Sequence, residues 1–160
     1  MTTTFEGASS TQAANVASLN QNMDIVIYTY YPMNFQTVTV RDPSTVATDM
    51  ATMVSLAGGK PLVLQEWGYP SSLVVSGSEQ KQSDFVAGTF AAWRQHGSDK
   101  IPFLSFFKRR DWTATECTAR SGQNPGDRFF EFLCSLGLLK NDGTTEKAAY
   151  QTFVNEVAGL

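Results

Sequence analysis

The sequence predicts an α/β fold, four consecutive strand–helix units making one domain over residues 1–160. Two observations carry that expectation. Short apolar runs at 25–28, 62–64 and 101–107 alternate with longer segments of helical period, as parallel sheets with crossover helices require. The run at 62–64 is apolar without alternation, which reads as a strand buried on both faces, and it delivers Glu66 just before Gly68 and Pro70 stop it. Glu66 thus falls at the carboxyl end of a parallel strand, the edge where α/β folds place their chemistry. A carboxylate there costs several kcal/mol to desolvate unless paired or hydrated.

The remaining elements follow in order. Residues 1–5 form a short β-prone start, and residues 8–19 a weakly amphipathic helix carrying Ala13, Val16 and Leu19. The strand at 25–28 runs into Tyr30-Tyr31-Pro32. Asp42-Pro43 opens the next helix, with Asp42 as cap and proline in the first turn. Val46, Met50, Met53, Val54 and Leu56 give that helix its core stripe, and Gly58 and Gly59 end it. Ser78 caps a helix over 78–95 with Phe85, Thr89, Phe90 and Trp93 inward, and Gly97 stops it beside His96, which faces the helix dipole. Beyond the strand at 101–107 lies a polar loop, then helices over 126–139 and 145–157.

Composition excludes several classes. A net charge of −3, with Lys108-Arg109-Arg110 as the only basic cluster, offers no footprint for nucleic acid or anionic membrane. No apolar stretch approaches the ~20 residues of a membrane span, and the amino terminus lacks the basic and apolar regions of a signal peptide. No glycine-rich phosphate loop follows a strand, which argues against nucleotides. Cys117 and Cys134 either pair or remain free thiols; a pair would point to an exported parent protein. Neither has a His or Cys neighbour at zinc-ligand spacing, so no metal and no cofactor is expected.

Three motifs together resemble the second half of a (β/α)8-barrel, or TIM-barrel, glycoside hydrolase of the retaining clan that includes cellulases, mannanases and endo-galactanases. Tyr28-Thr-Tyr30-Tyr31-Pro32-Met is similar to the clan's sixth-strand ending, and Leu62-Val-Leu-Gln-Glu66-Trp-Gly68-Tyr-Pro70 to its seventh. Phe103-Leu-Ser-Phe-Phe107 with Trp112 beyond fits the eighth, and the tail from Gly137 to Tyr150 resembles the closing helix. The resemblance implies a half-barrel of strands five to eight, a carbohydrate substrate, and Glu66 as catalytic nucleophile. It also implies a tyrosine hydrogen-bonded to that nucleophile. Only one of Tyr30 and Tyr31 can face inward, because strand side chains alternate, and Tyr30 is favoured. Tyr31, Trp67 and Trp112 are candidate surfaces for a sugar ring.

A whole barrel of this kind runs to ~250 residues or more, and a retaining site needs two carboxyl groups ~5–5.5 Å apart. In the clan the acid/base follows an asparagine at the end of the fourth strand. No such Asn-Glu precedes Thr4, and Asn155-Glu156 lies in the last helix. The half present is therefore expected to be inactive alone. Glu6 and Asp111, both just past strand ends, are the candidates to stand in for the missing acid. Open sheet edges invite pairing, so two copies are expected to close the ring as a two-fold homodimer. A monomer with capped edges and a truncated barrel are the alternatives. A non-catalytic carbohydrate-binding or assembly module is the competing function.

Overall fold

The structure, a computed structural model, describes residues 2–160; Met1, the first residue of the expected opening strand, lies outside the described residues. Strand β1 (Thr3–Thr4) leads into a single helical turn α1 (Phe5–Ala8) and helix α2 (Ala13–Gln21). Strand β2 (Val26–Tyr30) is followed by a small antiparallel hairpin of β3 (Met33–Asn34) and β4 (Thr39–Val40), then helix α3 (Val46–Leu56). Strand β5 (Leu62–Trp67) and helix α4 (Glu79–His96) form the third unit. Strand β6 (Phe103–Phe106) opens the fourth, with helices α5 (Ala114–Ser121), α6 (Arg128–Cys134) and α7 (Ala148–Ala158). The four long-range strands pair in parallel in the order β1-β2-β5-β6, so the expected succession of units is present.

Caps fall where short polar residues and glycines stand. Asp42 accepts from the Ser44 amide at 3.1 Å and opens a 3-10 turn that runs into α3. The Ser78 hydroxyl accepts from the Lys81 amide at 3.0 Å at the start of α4, and Gly97 ends that helix at φ 86°. Two expected helices are shorter than their apolar residues suggest. The helix expected over 8–19 begins only at Ala13, in α2, with Ala8 ending the separate turn α1, and the segment after Cys134 leaves α6 to run extended, with Leu139 bridging Arg110 and Glu146. Helix α5 was hidden in an apparent loop because its stripe is polar; a Thr113/Glu116 capping box starts it.

The core lies between the sheet and its helices. Val26, Tyr28 and Tyr30 of β2 and Leu62, Leu64 and Trp67 of β5 all point there, against Met50 and Met53 of α3 and Phe85 of α4. Adjacent helices pack in turn, α3 on α4 and α4 on α7. The opposite face of the sheet is not buried, contrary to the expectation from the unbroken apolar runs. Phe103, the register partner of Val63, is 55 % exposed on it, and Ile27 and Thr29 of β2 are only half-buried. These runs carry the apolar residues of two faces, and only the helix-side face has a cover here.

Register explains how Glu66 escapes the core. Tyr28 pairs with Leu64, yet the next pairs are Thr29 with Glu66 and Tyr30 with Trp67. Across the sheet Leu64 pairs with Leu104 and Trp67 with Phe106. Strand β5 therefore carries one residue more than either neighbour, a β-bulge at Gln65. Leu64 and Trp67 both face the helices at 0 % exposure. Between them Gln65 is exposed and Glu66 half-buried. Gln65 accepts a hydrogen bond at 2.6 Å from the Thr2 hydroxyl.

Two buried polar side chains stitch the rim, and a half-buried lysine ties the opposite end of the sheet. The Gln82 amide, fully buried in α4, donates to the carbonyls of Tyr69 (2.7 Å), Gly137 (3.1 Å) and Leu136 (3.3 Å). Lys147, with 2 % of its side chain exposed, pairs with Asp111 at 2.6 Å and donates to Ser71 and the Ser135 carbonyl. The Lys60 ammonium donates to the carbonyls of Asn20 and Gln21, capping α2. Cys117 and Cys134 are joined in a disulfide that links α5 to α6, their Cα atoms 5.8 Å apart. Among the described residues no helix is long and apolar enough to cross a membrane.

Candidate active site

Glu66 stands at the carboxyl end of a central parallel strand, turned off the helix layer by the bulge. Its Oε2 accepts a hydrogen bond at 3.2 Å from the Tyr31 hydroxyl. Tyr31 is held from three sides: its ring meets Phe107 edge-on at 5.8 Å and Phe132 at 5.5 Å, and lies over Gly68. Burial first, then the neighbouring Glu66 charge, pushes the Tyr31 phenol well above its ordinary value. A tyrosine that stays protonated is a permanent donor, suited to orienting a carboxylate.

Tyr30, the expected partner, does not meet Glu66. Tyr30 pairs with Trp67 in the register and so shares its helix-side face. Its ring packs between Phe5 and Phe85 at 0 % exposure, and its hydroxyl donates to Asp49 of α3 at 2.8 Å. Trp67, expected as a sugar platform, lies on that same face. It is fully buried against Phe85, Phe90, Phe106 and Phe153 and offers no surface to a sugar. Trp112 is half-buried at the rim, edge-on to Phe107 at 6.1 Å, and its ring is not bare. The Lys108 ammonium sits over it at 3.9 Å and the Arg120 guanidinium at 4.6 Å, both within cation–π range. Burial lowers Lys108 to about 8.

Of the two stand-in acids, one is committed elsewhere and the other is buried with an oxygen that has no hydrogen-bond partner among the described residues. Asp111 is spent on Lys147 and on the Gly137 amide, whose N–H it accepts at 2.7 Å. Glu6 lies beside Arg41 at 3.8 Å, and burial lifts its carboxyl to about 7 against the pull of that guanidinium. Two charged groups that sequence reasoning passed over, Arg41 and Asp49, join Glu6 and Tyr30 in one cluster under the rim. Asp49 stands in the α3 stripe segment as a polar residue one position before Met50, the only signal that marked it. Among the described residues no group of three or more His, Cys, Asp or Glu side chains is placed to hold a metal ion.

No protein-family model and no curated protein sequence matches the chain. Solved structures do match it in shape. A thermostable mutant of a xylanase from Cellvibrio japonicus superposes with a TM-score of 0.63 at 13 % identity, over 98 % of this chain and 48 % of the xylanase. A glycoside hydrolase family 17 β-1,3-glucanosyltransferase from Rhizomucor miehei gives 0.54 at 18 % identity, over 81 % of this chain and 44 % of its own. A GH5 protein from Streptomyces cattleya in complex with Manb1-4GlcNAc gives 0.58 at 20 % identity, covering 89 % and 32 %. The chain spans less than half the length of each. Its fold is a half-barrel of the kind found in TIM-barrel glycoside hydrolases.

Three substitutions probe this geometry. A Cβ at Gly68 would lie 3.3 Å from Tyr31 Cε1 and 3.5 Å from Leu136 Cδ2. Gly68→Ala should therefore lower the unfolding free energy by ~1–3 kcal/mol and lengthen the Tyr31–Glu66 bond. Gly88→Ala, in mid-α4 where the nearest atom is Val46 Cβ at 3.7 Å, should instead raise it by up to ~1 kcal/mol. Urea titration of the two variants checks the opposite signs. For Glu6, the folded carboxyl is raised from its ordinary 4.5 to about 7, so its contribution is fully present below 4.5 and is lost as pH rises through 7. Glu6→Gln should gain on the wild type by up to about 3 kcal/mol between those limits. Equal pH profiles of unfolding for the two proteins would contradict it.

Proposed function

We propose that the chain carries the nucleophile half of a retaining glycoside hydrolase site, units five to eight of the barrel, acting on O-glycosidic bonds of polysaccharide. Glu66 is the nucleophile: one carboxylate oxygen attacks the anomeric carbon as the bond to the leaving oxygen breaks, giving a glycosyl–enzyme ester. Tyr31 orients the other oxygen. Water then cleaves the ester and releases the sugar. The observation that carries the reading is the Tyr31–Glu66 hydrogen bond at 3.2 Å on the bulged carboxyl end of β5.

The leaving oxygen must take a proton from a second carboxylic acid ~5–5.5 Å away. Asp111 is engaged with Lys147 and Glu6 sits in the Arg41–Asp49 cluster, so neither is assigned that role and the chain brings no acid of its own for it. A binding module working through Tyr31, Trp67 and Trp112 is the weaker reading, since Trp67 is fully buried and Trp112 lies under two cations. The open face bearing Val63 and Phe103 is the face such a ring would enclose. A two-fold pair of these chains, β6 of one beside β1 of the other, is the assembly this reading assigns to it.

The isolated chain is expected to leave β-1,4-linked glucans, mannans and galactans uncut. A 2-deoxy-2-fluoroglycoside with a dinitrophenolate leaving group, which needs little acid assistance, should esterify Glu66, and Glu66→Gln should abolish the adduct seen by peptide mass spectrometry. An adduct elsewhere, or polysaccharide turnover indifferent to Glu66→Gln, would sink the assignment. Static light scattering at micromolar concentration should give twice the mass of the 17.5 kDa chain; a monomer mass would remove the two-fold pair and leave the Glu66 assignment standing.

A further inference from the structure

We propose that Asp49, working with Arg41, is a positioning residue for the Tyr31–Glu66 pair, fixing the backbone on both sides of the tyrosine and tying it to the segment that carries the glutamate. The proposal rests on the reading of Glu66 as nucleophile for its consequence in catalysis, but its geometry stands apart from that reading.

Asp49 lies near the start of α3 with 14 % of its side chain exposed. One oxygen, Oδ2, accepts from the Tyr30 hydroxyl at 2.8 Å, from Arg41 Nη2 at 2.6 Å and from the Thr45 hydroxyl at 3.3 Å. Tyr30 immediately precedes Tyr31. Arg41 holds the residue that follows it, because its amide donates to the Pro32 carbonyl at 2.7 Å. The Arg41 carbonyl in turn accepts from the Tyr69 hydroxyl at 2.8 Å. Tyr69 is the neighbour of Gly68, over which the Tyr31 ring lies, and the Gly68 amide donates to the Tyr30 carbonyl at 3.2 Å. The peptide of Arg41 is thus a link with the tyrosine arm on its N–H side and the glutamate arm on its C=O side. Asp49 anchors that link and the Tyr30 flank at once.

The arm needs an anchor. Between Pro32 and Arg41 the chain makes only the two-residue hairpin β3–β4, and two-stranded pieces of this size do not hold themselves. The turn includes Val38 at φ 48°, a left-handed conformation that a β-branched residue keeps only when its surroundings impose it. Charge-assisted bonds are about twice as strong as neutral ones. Without the Asp49 carboxylate, the Arg41 guanidinium would have only Glu6, at 3.8 Å, as an ionic partner among the described residues.

The test uses the whole chain with 3-fluorotyrosine at its five tyrosines and reads 19F resonances. Tyr31→Phe identifies the Tyr31 signal, and Glu66→Ala shows where that signal moves when the bond to Glu66 is absent. In Asp49→Ala the Tyr31 signal should move at least halfway to that position while the Tyr150 signal stays. Asp49→Asn, which keeps the size and one acceptor oxygen, should move it the same way by less, and it decides the matter if Asp49→Ala does not fold. A folded Asp49→Asn with the Tyr31 signal unmoved overturns the proposal. Labelling of Glu66 by the fluoroglycoside should slow in Asp49→Asn, and adding Asp49→Asn to Tyr31→Phe should cost no further factor, because both act through one hydroxyl. Independent, multiplying losses would overturn the positioning role. A moved signal in a chain whose wild type is never labelled supports the positioning and defeats the nucleophile reading; labelling with an unmoved signal does the reverse.

Discussion

One extra residue in β5 sets the chemistry of this molecule. Strict alternation from Leu62 and Leu64 would send Glu66 into the helix layer, among Phe85, Phe90 and Phe153, where an unpaired carboxylate costs several kcal/mol. The bulge at Gln65 resets the phase. Leu64 and Trp67 both keep their places in the core, and Glu66 turns to the other side. A strand can satisfy its packing on one face and still present a charge on the other only by such an insertion. The same reset makes Trp67 a core residue, and the register places Tyr30 beside it, which leaves Tyr31 to meet the glutamate.

Around that strand the rim is held by polar side chains whose burial is justified by what they join. Gln82 reaches three carbonyls from two loops, and Lys147 gathers the loops after β5 and β6 with the end of α6. Each such group would be costly if one partner were lost. The rim loops are therefore cross-tied where an α/β fold usually carries its variable loops. Asp111, which position alone made attractive as an acid, belongs to this fabric.

The order of strands and helices, and most of their ends, were legible in the sequence. Asp42-Pro43, Ser78 and Gly97 act locally, through a side-chain acceptor or a permissive φ, so the letters are enough. What the sequence hid depends on distant partners. The bulge exists only as a mismatch between β5 and its two neighbours, and nothing in Leu-Gln-Glu-Trp counts the residues of β2 or β6. The run Ile25 to Tyr30 is apolar or aromatic at five of six places, so it does not say which set faces the helices. Tyr30 and Tyr31 could not be told apart on that basis. Helix α5 went unseen because its cap and disulfide, rather than an apolar stripe, hold it.

The helix-side placement of the core has a consequence for how such barrels come apart and are assembled. Residues at 0 % exposure, from Met50 and Leu62 to Phe85 and Ile101, are enclosed between the sheet and this chain's own helices. None waits for a side chain from across the barrel axis. A gene split at a boundary between strand–helix units therefore leaves each piece with a finished hydrophobic interior and one uncovered sheet face. Pieces of that description are interchangeable parts. Shuffling, duplication and fusion can join them along strand edges without redesigning either interior, and chemistry that needs groups from both pieces arises only at the join.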